Sequence, residues 1–214
     1  ACGSGNFLTE TYLSLRRLEN EVIKELIILD KGRNGKQVSG QVTFGQEGLN
    51  PIRVSISQFY GIEINDFAVT VAKTALWIAE SQMMKETEEI VHATLDFLPL
   101  KTNAYIVEGN ALRLPWEDII SKNKLNYIMG NPPFVGYSLQ SKEQKEDILS
   151  IYVDEKGKAY KTAGKIDYVA GWYFKAAQLM QGTAIRTAFV STNSITQGEQ
   201  VAGVWKPLYD RFAV

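Results

Sequence analysis

Asn131-Pro132-Pro133-Phe134 follows an apolar run that contains Leu125, Tyr127, Ile128 and Met129. The run predicts a short β-strand over residues 125–129. Two consecutive prolines fix two φ angles and remove two N–H groups, so no sheet ladder or helix continues through them. The strand must end there, in a rigid loop whose carbonyls point outward without internal partners. Asn131 adds a side-chain oxygen, and the Pro132 carbonyl is a second acceptor. Two preset acceptors suit a substrate amino group that donates both of its protons. Phe134 offers a flat face on which an aromatic base can stack. The alternative is a tight turn with a purely structural role.

Around this loop, helical and strand-like segments alternate. That order predicts an α/β fold with a mostly parallel sheet and helices on both faces. A first helix is expected over residues 6–28, because Phe7, Leu8, Tyr12, Leu15, Leu18, Val22 and Leu26 recur at spacings of three and four on one face. Gly32, Asn34 and Gly35 should break it. Residues 40–51 are Gly-rich and polar and suggest a loop or hairpin. A β-rich run follows through Val54, Ile56, Phe59, Tyr60, Ile62 and Ile64, after which Asn65 or Asp66 can cap a second helix. Its apolar face should carry Phe67, Val71, Ala72, Ala75, Leu76 and Ile78. Further strands are expected at 104–107 and 187–191, and a helix from Asp167, as its cap, to about Met180. Residues 135–165 lack a clean period.

No repeat or linker divides the chain, so residues 1–214 are expected to form one catalytic core. The opening Ala1-Cys2-Gly3-Ser4-Gly5 has no initiating Met, and no strand precedes its glycines. It reads as a boundary within a longer protein whose first strand is missing here.

Composition excludes some chemistry. Hydrophobic residues at 45% and charged residues at 22% are the balance of an ordinary soluble domain. No apolar run is long enough to span a bilayer. Cys2 is the single cysteine, which rules out an intrachain disulfide and suits a reducing compartment such as the cytoplasm. His92 is the single histidine, which removes most routes to a zinc site or a His-based triad, and it reads as a helix-surface or partly buried residue. No metal is expected. The net charge of −1 lacks the basic surplus typical of nucleic-acid binders. Contact with DNA would therefore need locally clustered lysines or a separate reading domain.

Three more elements lie at the edges of predicted strands or helices. Gly3 and Gly5 precede the first helix, where a glycine loop can approach a ligand closely and present free N–H groups, or simply turn. Glu63 ends the strand Gly61-Ile62-Glu63-Ile64, where a carboxylate can accept both hydroxyls of a ribose, or lie solvated. Gly109-Asn110-Ala111 follows another strand; Asn110 can bind an adenine edge or serve as a turn residue.

Taken together, these motifs resemble the adenine-N6 DNA methyltransferases. Ala1-Cys2-Gly3-Ser4-Gly5 with Asn6-Phe7-Leu8 resembles their S-adenosylmethionine-binding motif, and Asn131-Pro132-Pro133-Phe134 resembles their catalytic motif. Glu63 matches the ribose-binding acid. Asn110 stands where the family usually has an Asp that binds the cofactor's adenine. Asp167-Tyr168 and Ser191-Thr192-Asn193 resemble later motifs, and the glycine-first order is that of the gamma arrangement. Residues 58–65 and Met129-Gly130-Asn131 resemble the methyltransferase region of MmeI-like restriction–modification enzymes more closely.

The resemblance implies a Rossmann-like fold that binds S-adenosylmethionine through Ala1, Cys2, Gly3, Gly5, Glu63, Ile64, Asn110, Ala111 and Asn131. It implies methyl transfer to the N6 amino group of an adenine flipped out of double-stranded DNA, with Asn131, Pro132, Pro133 and Phe134 as the catalytic loop. It also implies nuclease and target-recognition regions elsewhere in the same chain, and little activity for these residues alone. Residues 135–165 would be a mobile flap whose Lys142, Lys145, Lys156, Lys158, Lys161 and Lys165 meet phosphates, or else a solvated loop. Asn-Pro-Pro-aromatic loops also serve enzymes that methylate RNA or protein glutamine. The long segment before Asp167 argues against those compact relatives, and the intact Asn131 argues against a degenerate binding domain.

Overall fold

The computed structural model describes residues 2–33, 51–95 and 102–213. Ala1, Asn34, Gly35 and the 40–50 segment lie outside the described residues. The chain folds as two compact units, one built from residues 2–61 and 65–107, the other from residues 62–64 and 108–214.

The first unit is dominated by α1 (Asn6–Arg33) and α2 (Asp66–Val91). Gly32 does not break α1, which continues through it to Arg33. The apolar stripe expected to pack α1 is largely the wrong face. Tyr12, Arg16, Asn20, Ile23 and Ile27 are buried, whereas Leu18 is 63% and Val22 51% exposed, with Leu15 and Leu26 also exposed. The reason is a polar ladder in the seam between the helices. Arg16 donates to Thr87 Oγ1 and is paired with Glu19, and Thr87 donates to Asn20 Oδ1 at 2.8 Å. Buried polar groups of this kind are tolerated when hydrogen-bonded, and they are invisible to a hydrophobic period.

The buried face of α2 runs through Val69, Ala72, Leu76, Ala79 and Met83, while the expected Phe67 and Ile78 are exposed. Asn65 caps this helix as expected, its side chain accepting from Ala68 N at 3.0 Å. His92 is the exposed C-cap in a left-handed conformation, φ 52°.

Strands β1 (Tyr60–Glu63) and β2 (Tyr105–Glu108) pair with each other. Tyr105 N donates to Phe59 O, and Gly109 N to Glu63 O four residues further along both chains, a parallel arrangement. A one-turn 3₁₀ helix, Ile56–Gln58, occupies the start of the run expected to be strand.

In the second unit, β3 (Tyr127–Gly130) and β4 (Arg186–Phe189) pair in parallel, with Tyr127 opposite Arg186 and Gly130 opposite Phe189. The strands described thus form two pairs of short parallel strands, and the observed architecture is α/β. Between β3 and β4 lie α3 (Lys142–Ile151) and α4 (Ala170–Met180), whose buried Ile148 and Phe174 share a core with Leu112, Tyr152, Ile166, Val204 and Phe212.

The segment 135–165 is folded, so it is not merely a solvated loop. Ser141 and Gln144 form a capping box for α3. Ile148 and Tyr152 are fully buried, and a bridge joins Val153 to Ala159. The many charges of α3 lie on its outer face, except Asp147. Asp167 does not cap α4, whose N-cap is Val169 with no side-chain bond. No described helix is long and apolar enough to cross a membrane.

Candidate active site

Parallel strands leave their carboxyl ends to the loops that follow, and all expected polar site residues of the second unit occupy such loops or strand ends. Glu63 closes β1 and is buried, 7% exposed, so the solvated alternative does not hold. Its backbone carbonyl accepts from Gly109 N at 2.8 Å, which fixes the turn after β2 beside it. Ile64, next in the chain, is exposed. Gly109 has φ 154°, and a Cβ there would meet Leu114 Cδ1 at 2.5 Å, so the tight turn requires glycine.

Asn110 is held on both sides. Its Oδ1 accepts from Leu112 N at 2.9 Å, and its Nδ2 donates to Asp147 Oδ2 at 2.9 Å. The turn role and a polar, ligand-facing role are both open to it, since an amide oxygen has a second lone pair. Ala111 is buried, and its carbonyl accepts from Trp116 Nε1 and Lys175 Nζ.

The same ammonium of Lys175 reaches the carbonyls of Leu112 and Leu114. Burial pushes the Lys175 pKa down to about 8. Lys175 thereby clamps the 111–114 turn through its carbonyls, a role no sequence motif announced.

Asp147 is the hub of this region. It is 3% exposed and accepts from Arg113 Nε at 2.6 Å, Tyr168 OH at 2.7 Å and Asn110 Nδ2. Burial raises its carboxyl pKa, but the hydrogen bonds from Arg113, Tyr168 and Asn110 outweigh that and hold it below the ordinary carboxylate range. Burial first, then the bond to Asp147, pushes the Tyr168 phenol up. No motif marks Asp147, which lies in a run of mixed charge.

The loop after β3 has the expected character. Asn131 is exposed, Pro132 is buried, and Phe134 is half exposed. Among the described residues, neither the Asn131 side chain nor the Pro132 carbonyl has a protein partner. The loop is anchored just beyond these acceptors. Val135 O accepts from Tyr168 N at 2.9 Å, and Asp167 Oδ1 accepts from Tyr137 N at 3.1 Å. Gln140 donates to Ile166 O at 2.9 Å. Tyr168 thus ties the Asn-Pro-Pro-Phe loop to Asn110: its backbone binds Val135 and its phenol binds Asp147, which binds Asn110.

Cys2, Gly3 and Gly5 belong to the first unit, apart from these residues in the division of the chain. Gly5 N donates to Cys2 O at 3.0 Å, closing a turn, and Gly5 O accepts from Thr9 N to start α1. Gly3 and Gly5 have φ of 56° and 87°. A Cβ on Gly5 would lie 2.8 Å from that of Ala72, whereas one on Gly3 would meet nothing. Close helix packing therefore explains Gly5 and leaves Gly3 with open space. Ala1 lies outside the described residues. Among those residues, no cluster of His, Cys, Asp or Glu could hold a metal ion.

Comparison with known proteins gives concordant matches. Residues 1–213 match the model of the family described as MmeI, DNA-methyltransferase domain. The chain is 42% identical over 212 residues to DNA methyltransferase A of Bacillus subtilis (strain 168), covering 98% of this chain and 22% of that protein. Among solved structures, it matches the Type IIL restriction-modification enzyme MmeI in complex with DNA, with a TM-score of 0.83 and 42% identity over 98% of this chain. It covers 26% of that enzyme's chain. The sequence thus spans about a quarter of the length of these relatives.

Proposed function

The chain belongs to the family of MmeI DNA-methyltransferase domains, and from that membership we propose that it transfers a methyl group from S-adenosylmethionine to the N6 amino group of adenine in DNA, within a restriction–modification protein. The observation that carries this reading is the pair of unpartnered acceptors on a rigid loop, Asn131 Oδ1 and Pro132 O, tied through Tyr168 and Asp147 to Asn110. The corresponding fold is a Rossmann-like one, with a mostly parallel sheet and helices on both faces.

The residues fit the cofactor. Glu63, a buried carboxylate at a strand's carboxyl end, suits ribose hydroxyls. Asn110 suits the adenine ring, and Ile64 and Ala111 are assigned to the same cofactor by the resemblance. Ala1, Cys2, Gly3 and Gly5 are assigned to the same cofactor by their motif. When bound, the cofactor supplies an electrophilic sulfonium methyl.

An adenine amino group is a poor nucleophile, because its lone pair is delocalised into the ring. If Asn131 Oδ1 and Pro132 O each accept one of its protons, the nitrogen becomes pyramidal and its lone pair localises. The surplus proton leaves to solvent after transfer. This is catalysis by positioning and preorganised dipoles, without a strong base. Phe134 stacks on the base, which must be flipped out of the duplex to reach the loop. The exposed Lys142, Lys145, Lys156, Lys158, Lys161 and Lys165 stand on the folded segment after that loop, available to phosphates.

The test is to incubate the full-length protein with DNA and methyl-labelled S-adenosylmethionine, digest the DNA and identify the labelled nucleoside. Label in N6-methyladenine is expected. Label in another nucleoside, in RNA or in protein would overturn the acceptor assignment.

A further inference from the structure

The Asn110 amide has one chemically allowed orientation. Leu112 N–H only donates and the ionised Asp147 carboxylate only accepts, so the amide oxygen must face Leu112 and the nitrogen must face Asp147. Asp147 cannot swing away from this contact, because Arg113 Nε and Tyr168 OH also donate to it at 2.6 and 2.7 Å. At 3% exposure it is too buried to touch a ligand itself. It acts on a ligand through its partners, and of these Asn110 is the one assigned to the cofactor.

We infer that Asp147 is a positioning residue for cofactor selectivity: it locks the Asn110 amide so that the second lone pair of Oδ1 meets the exocyclic amino group of the cofactor's adenine. The inference rests on the cofactor assignment proposed above. The lock has a consequence beyond affinity. A ring that carries a carbonyl in place of the amino group would meet a lone pair with a lone pair, and would be refused. Were the amide free to turn, its nitrogen would accommodate that carbonyl. Asp147 therefore separates an amino-bearing purine from its deaminated counterpart.

The experiment measures dissociation constants of the full-length protein, by calorimetry, for S-adenosylmethionine and for its deaminated analogue. Asp147→Leu keeps the bulk and removes the acceptor. It should weaken S-adenosylmethionine binding by about tenfold or more, the scale of one charge-assisted hydrogen bond, and weaken the analogue much less. Asn110→Asp sets two carboxylates against each other and should lose comparable affinity.

Adding Asp147→Asn to Asn110→Asp exchanges donor and acceptor across the same contact, and the Tyr168 hydroxyl can turn to accept. This paired variant should recover affinity and selectivity to within about threefold of wild type, the coupling expected of residues in contact. It also guards against a variant that merely fails to fold. Equal losses for both ligands in Asp147→Leu, or no recovery in the paired variant, would overturn the inference and leave Asp147 a structural residue. Failure of the wild-type protein to bind S-adenosylmethionine would overturn the cofactor assignment itself, before any variant is made.

Discussion

Ser194 donates a hydrogen bond to Asp167 Oδ2 at 2.6 Å, while Asp167 Oδ1 accepts from the backbone of Tyr137 at 3.1 Å. One carboxylate thus joins the loop after β4 to the loop after β3, which carries Asn131. Asp167→Ala should leave Tyr137 N without this acceptor and loosen the Asn131 loop. The methyl-transfer rate should fall about tenfold or more, with a stability loss of roughly 1–3 kcal/mol for the lost partners. Single-turnover rates and denaturant unfolding check this; a transfer rate equal to wild type would count against an anchoring role.

Asn131→Ala should reduce transfer by about a hundredfold or more, the scale of losing one preorganised polar group at a reacting centre. Cofactor affinity should change little. Glu63→Ala should do the converse, weakening cofactor binding first. Paired calorimetry and transfer assays separate the two, and an exchange of these phenotypes would reverse the role assignments.

Lys175 has a folded-state pKa of about 8, held down by burial, against an ordinary value of 10.5. Between those values the unfolded chain binds the proton and the folded chain does not. The contribution of this group to stability therefore rises with pH across that window, and its burial penalty is fully present below about pH 8. Thermal midpoints of wild type and Lys175→Met, compared at pH 7 and at about pH 9.5, should show the wild type gaining relative to the variant at the higher pH. A difference independent of pH would mean that Lys175 keeps its proton in the fold.

Gly5→Ala should destabilise more than Gly3→Ala. Both glycines have positive φ, at a cost of about 1–2 kcal/mol for an L side chain. Only at Gly5 would the new Cβ also press on Ala72, at 2.8 Å. Equal shifts in thermal midpoint would mean that α1 and α2 yield freely at this contact.

On α1, Leu18→Lys should change stability by no more than about 0.5 kcal/mol, since Leu18 is exposed. Ile23→Ala should cost about 2–4 kcal/mol, because Ile23 is buried with Ile27 and Val91. Urea unfolding of both variants decides which face of the helix is the packed one.

Much of the local structure was legible in the sequence. The Pro-Pro pair ends β3, Asn65 caps α2, and β2, β3 and β4 lie within a few residues of their expected places, whereas β1 takes up only the last part of its expected run. The expected site residues in the second unit do fall at strand ends and in the loops after them. The hub that holds them is not legible in the sequence, because Asp147 lies 37 residues from Asn110 and 21 from Tyr168 and carries no motif of its own. The role of Asp167 is not legible in the sequence, because a capping carboxylate and an inter-loop anchor have the same one-letter signature.

What the sequence alone determined was whatever depends on neighbours along the chain: prolines that forbid a ladder, a cap that reaches three residues ahead, glycines needed where φ is positive. Tertiary structure decided which surface of each helix is buried and which charges are spent inside. A hydrophobic period cannot reveal that Arg16 and Asn20 face inward while Leu18 and Val22 face out. Their partner in the seam is Thr87, 71 residues beyond Arg16, whose hydroxyl accepts from Arg16 and donates to Asn20 Oδ1.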